Sequence, residues 1–113
     1  MINLENFQRD CYLTWVAKEW SDQVNFAEQI ALVHSELSEA LEEYRNNGLD
    51  ETKFMYRGEN DNDKPLGIAS ELADVIIRTL NLCSHYKIPI KSALICKAAF
   101  NNGRTFRHGG KLC

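Results

Sequence analysis

The sequence predicts an all-α fold, a four-helix bundle-like protomer. Apolar residues recur at three- and four-residue steps through most of the chain, only Pro65 and Pro89 punctuate it, and no internal repeat or low-complexity tract intervenes. At 113 residues the chain matches one domain with one core, so residues 1–113 are read as a single helical domain. Helical units of this size often add subunit contacts to complete their cores.

The first helix is expected over residues 4–20, with Phe7, Cys11, Trp15 and Val16 forming an apolar stripe. Ser21 and Asp22 offer a break and a cap for the next helix. That second helix is expected over 25–46, where Phe26, Ile30, Val33, Leu37, Ala40, Leu41 and Tyr44 repeat at helical spacing. Gly48, after Asn46 and Asn47, supplies the left-handed residue that commonly ends a helix. The third helix should begin just after Pro65 and run to 86, and it is apolar around much of its girth between Leu72 and Leu82, which makes it central. Pro89 suits the first turn of a fourth helix, because its missing N–H would be unpaired there in any case. That helix stops near Gly103, and residues 103–113 form a basic tail. Between the second and third helices lies a loop over 47–65, longer than most connections in compact domains. Phe54, Met55 and Tyr56 give it the means to dock on the body, while GENDND at 58–63 reads as a mobile acidic linker.

The net charge of -3, from 13 basic and 16 acidic residues, provides no general attraction to a nucleic-acid polymer or an anionic membrane. The four cysteines form no C-x-x-C pair, which argues against a zinc knuckle or a redox motif and fits reduced thiols in the cytoplasm. The segment MINLENFQRDCYLTW lacks the basic and apolar regions of a secretory signal. No apolar run approaches the roughly 18 residues of a membrane span.

Glu36 and Glu39 are three residues apart on the second helix, and Glu71 and Asp74 repeat that spacing on the third, so each pair shares one helix face. Such pairs are common on solvated helices, but Glu71 and Asp74 interrupt an apolar run, ELADVII. Unpaired carboxylates there would cost several kcal/mol to desolvate, so something positive should lie beside them. If the two helices pack antiparallel, all four acids can face one cleft, where mutual repulsion raises their pKa values unless a cation intervenes. Oxygen donors without histidine or thiolate favour Mg2+ or Mn2+. A di-iron site would need Glu-x-x-His elements, and neither His34 nor His85 has a glutamate three residues before it. Toward the end of the chain Lys97, Asn101, Arg104, Arg107, His108 and Lys111 cluster, with Lys97 and Asn101 one turn apart and able to reach a common ligand.

The segments IALVHSELSEALEEYR at 30–45, KPLGIASELADVIIR at 64–78 and KAAFNNGRTFRHGGK at 97–111 together resemble the MazG-like branch of the all-alpha nucleoside triphosphate pyrophosphatases. That superfamily also contains dimeric dUTPases and phosphoribosyl-ATP pyrophosphatases. The resemblance spans about residues 25–111 and implies hydrolysis of an NTP or dNTP to the monophosphate and pyrophosphate, as nucleotide-pool house-cleaning. It further implies that Glu36, Glu39, Glu71 and Asp74 hold Mg2+, with Mn2+ as an alternative. Lys97 and Asn101 would contact phosphates or sugar, assisted by Arg104 and Lys111. Either Glu39 or Glu36 would position the attacking water, and the sequence does not choose between them. A homodimer or homotetramer is implied in the same way. Trp20 is the best placed of three aromatic residues, with Trp15 and Phe7, for stacking on a base. The alternatives are a non-catalytic helical oligomerisation or interaction module, and a hydrolase of a related nucleotide of the dUTP or phosphoribosyl type.

Overall fold

The computed structural model describes residues 2–18, 20, 22, 24–59 and 64–103. Its elements are α1 (Leu4–Ala17), α2 (Phe26–Asn47), a 3-10 turn (Glu51–Lys53), β1 (Tyr56–Arg57), β2 (Pro65–Leu66), α3 (Ile68–Tyr86) and α4 (Ile90–Gly103). Helices dominate, as the apolar spacing requires. None of those described is long and apolar enough to cross a membrane.

Local chemistry sets most of the boundaries. Asn3 caps α1 by accepting from the Asn6 N–H at 3.0 Å, and Asn25 caps α2 by accepting from the Glu28 N–H at 2.9 Å. The cap of α2 is therefore Asn25 and not the Ser21–Asp22 pair, because its amide oxygen reaches the third helical N–H. Helix α1 ends at Ala17, short of Trp20, with the Lys18 N–H bonded to the Thr14 carbonyl at 3.0 Å. Gly48, at φ +59°, ends α2 as its position suggested.

Helix α3 is the centre of the protein and packs on both α1 and α2. Four consecutive residues, Leu80, Asn81, Leu82 and Cys83, are buried on it. Helix α1 runs parallel to it: Gln8 Nε2 donates to Ser84 Oγ at 2.9 Å, and the Tyr12 hydroxyl meets His85 Nδ1 at 3.1 Å. Helix α2 runs antiparallel, its Phe26 ring edge-on to Tyr86 at 5.3 Å and its Glu36 bonded to Arg78. Helix α4 follows Pro89 as expected, is tied to α1 by a Lys91–Glu5 ion pair, and buries no residue.

The long loop is partly structured. Tyr56 pairs with Leu66 and Arg57 with Pro65 in an antiparallel ribbon. The Tyr56 hydroxyl donates to the Glu43 carboxylate at 3.1 and 3.2 Å, which docks the ribbon on α2. The expected linker at 58–63 lies, from 60 to 63, outside the described residues. Where the loop returns to α3, Gly67 sits at φ +106° and a Cβ there would lie 2.4 Å from the Phe54 carbonyl oxygen. Gly67→Ala should therefore lower stability by at least about 2 kcal/mol, from backbone strain plus the clash. Urea unfolding measures this, and an unchanged midpoint would mean that the ribbon is not held against α3 in solution.

The expected packing face of α2 is also corrected. The stripe Phe26, Ile30, Leu37, Leu41 and Tyr44 on α2, which periodicity assigns to the core, is 39–49% exposed. At ideal helical geometry it occupies an arc of roughly 60°, and α2 turns the neighbouring face, with Glu36 and Ala40, toward α3. Among the described residues the buried apolar set is correspondingly thin: Trp15, Ala40, Leu80, Leu82 and Cys83. Cys11 and Cys83 are free thiols.

Candidate functional site

The antiparallel seam between α2 and α3 brings the acids together. With α2 running against α3, Glu36 lies across from Asp74 and Arg78, and Glu39 across from Glu71. One carboxylate oxygen from each of Glu36, Glu71 and Asp74 falls within 4.8 Å of the other two. Glu39 adjoins Glu71 across the seam and lines a hollow with it. Glu36 is 8% exposed, an unusual burial for a carboxylate.

Its partner is Arg78, one turn after Asp74, whose Nε donates to Glu36 Oε1 at 2.9 Å. Its charge also acts on Asp74, which is exposed, and draws that carboxyl's pKa down. One guanidinium does not neutralise four acids, however. Burial, then the hydrogen bond and charge of Glu39 and the charges of Asp74 and Glu36, push the Glu71 pKa up to about 7. Burial and Glu36 also raise Asp74, against the pull of Arg78 and Lys64.

Beside the acids lies a cavity of about 270 Å³. Glu36, Asp74 and Arg78 form one part of its wall, and Trp15, Trp20, Gln29 and Asn81 another. Trp15 is fixed from behind by the rings of His85, edge-on at 5.8 Å, and Tyr12, at 5.9 Å. Trp20 is 65% exposed, held near Trp15 by a bond from its N–H to the Trp15 carbonyl at 3.1 Å. A second hollow adjoins Glu39 and Glu71, and Lys64, delivered by the ribbon, lines it.

Glu36, Glu39, Glu71 and Asp74 are thus gathered, and Trp20 stands at the adjoining cavity. Lys97 and Asn101 are not brought to either hollow: both are exposed on α4, with the Lys97 ammonium 5.5 Å from the Phe100 ring centre. Arg104 and Lys111 lie outside the described residues. Phe7 lines a separate apolar hollow with Ile76 and Leu80, away from the acids.

Sequence reasoning missed Arg78, Lys64, Gln29 and Asn81. Arg78 was within reach, since a cation four residues after Asp74 shares its face. Asn81 continues the same face one turn further on, but an amide in an apolar helix carries no charge signal. Lys64 depends on how the loop docks, which spacing alone does not encode.

In chemical class the site is a carboxylate cluster of hard oxygen donors beside an aromatic-walled cavity. No family model, curated protein or solved structure matches this chain.

Proposed function

We propose that the chain is a Mg2+-dependent nucleoside triphosphate pyrophosphohydrolase of the MazG-like, all-alpha type, acting on nucleotide pools as a homodimer or homotetramer. The observation that carries this reading is the convergence of Glu36, Glu39, Glu71 and Asp74 from two helices next to a cavity with two tryptophans. Neutral-range protonation of Glu71 marks a place where a divalent cation would relieve repulsion. The donor set, oxygen only, fits Mg2+ or Mn2+. Mg2+ bound there would screen the triphosphate and lower the pKa of water.

The protein's own groups then have distinct tasks. Glu36, Glu39, Glu71 and Asp74 would hold the cation, and Glu39 or Glu36 would accept a proton from the attacking water. The water oxygen bonds to the α-phosphorus, the bond from that phosphorus to the bridging oxygen breaks, and pyrophosphate leaves. Arg78 and Lys64 offer positive charge at the edges of the acidic seam. Lys97 and Asn101, with Arg104 and Lys111, serve as phosphate contacts once α4 is brought over the seam. Assembly is a natural way to do so, because the exposed α2 stripe, Leu94 and Ile95 form apolar surface that a second copy would cover. The cytoplasm, where nucleotide pools are maintained, is the proposed setting.

A second reading is a non-catalytic helical interaction module. It is favoured by the Arg78–Glu36 pair, which already neutralises one acid, and by the extent of exposed apolar surface. Incubating the purified chain with the common NTPs and dNTPs plus Mg2+, then separating products by ion-exchange chromatography, decides between them. Monophosphate with equimolar pyrophosphate is expected. Intact triphosphates, with a folded sample, would favour the module, and release of orthophosphate would point to a different nucleotide hydrolase.

A further inference from the structure

Asn81 is only 7% exposed, lies on the most buried stretch of α3, and lines the cavity with Trp15, Trp20 and Ile77. Its Oδ1 is buried and has no hydrogen-bond partner. Buried polar atoms are almost always paired, and an unpaired one destabilises the fold. Its neighbours Leu80, Leu82 and Cys83 are apolar, so a leucine would satisfy this position better if packing were the whole requirement. The acceptor is spare hydrogen-bonding capacity on a residue that lines the cavity, and what it lacks is a donor.

We infer that Asn81 is a specificity-determining residue of this cavity, accepting a hydrogen bond from an N–H on the edge of a planar heteroaromatic base held against Trp15 and Trp20. This rests on the nucleotide reading above and adds the residue that reads the base. Three features fit. The cavity, at about 270 Å³, is below the range of roughly 300–1,000 Å³ typical for drug-sized ligands, a size closer to a base than to a whole nucleotide. Asn81 follows Asp74 by two helical turns, about 10 Å along the axis, which separates a base end from an acidic, phosphate end. Indole faces offer stacking that any base can use, so stacking alone would not discriminate, whereas the amide can.

An amide presents an acceptor beside a donor, and rotation about its last torsion exchanges the two. The N–H could therefore belong to an exocyclic amino group, as in adenine or cytosine, or to a ring imide, as in uracil. Tryptophan fluorescence titrations of the full chain separate these sources. The probes are AMP, CMP and UMP, each compared with its N-methylated form: N6,N6-dimethyl-AMP, N4,N4-dimethyl-CMP and 3-methyl-UMP.

For the base that binds tightest, methylation should weaken binding about tenfold, the scale of one hydrogen bond to a buried acceptor. Asn81→Leu should weaken the unmethylated ligand by the same factor and no longer sense methylation. Indifference of the wild-type chain to methylation, equal discrimination in Asn81→Leu, or no binding of any of the six would overturn the inference. If Asn81→Leu does not fold, the ligand-side comparison in the wild-type chain and an Asn81→Ser variant still decide. The readout needs no hydrolysis. Methyl-sensitive binding without turnover of triphosphates would remove the pyrophosphohydrolase reading alone, and turnover with methyl-insensitive binding would remove the Asn81 role alone.

Discussion

Glu71→Gln and Asp74→Asn should each reduce triphosphate hydrolysis by more than the ~100-fold typical of changes around a metal's outer shell, because they remove donors from the cation itself. Glu39→Gln is expected to behave likewise. The same substitutions should leave the fold intact and, without metal, make it more stable. For Glu71 the sign follows from its pKa, raised from 4.5 to about 7. A carboxyl that is harder to ionise when folded favours the folded state fully below its unfolded pKa, and that contribution is lost as pH rises through 7. Glu71→Gln should thus raise the melting temperature in EDTA at about pH 8, with the gain vanishing toward pH 5. Mg2+ should raise the melting temperature of the wild-type chain and not that of the variant. A variant that unfolds at every pH would instead assign Glu71 to structure.

Arg78→Met tests the other half of the electrostatics. The side chain of Glu36 is 11% exposed and its partner is the Arg78 guanidinium at 2.9 Å. Breaking a buried pair from one side costs about 3–5 kcal/mol, and Arg78, itself 37% exposed, places this pair lower, at about 2 kcal/mol. Urea unfolding in EDTA should show that loss. Saturating Mg2+ should recover most of it, since the cation takes over the neutralisation of Glu36. An equal loss with and without Mg2+ would make Arg78 a packing residue with no link to a metal.

The helices were legible because their signals are local. The glycine at 48 and Pro89 ahead of α4 act within one turn, and apolar spacing marks the rest. The acidic pairs were legible for the same reason, since three-residue spacing forces Glu36 with Glu39 and Glu71 with Asp74 onto shared faces. Which face of α2 meets α3 was not. Its apolar stripe and its acidic face are adjacent, and α3 takes the acidic one, leaving Leu37 and Leu41 exposed. That choice depends on partners far apart in sequence, Arg78 for Glu36 and Tyr56 for Glu43, which periodicity does not record. The same holds for Lys64 and Asn81, whose roles arise from loop docking and from an unpaired atom.

Titration of Mn2+ into the metal-free full chain, following the paramagnetic resonance of the free ion, tests most directly whether α2 and α3 share one divalent cation. The expected result is saturable uptake at about pH 8 that disappears in Asp74→Asn and weakens up to about tenfold per pH unit below 7, where Glu71 must release its proton to bind. Weak uptake that never saturates, unchanged by Asp74→Asn and by pH, would contradict it.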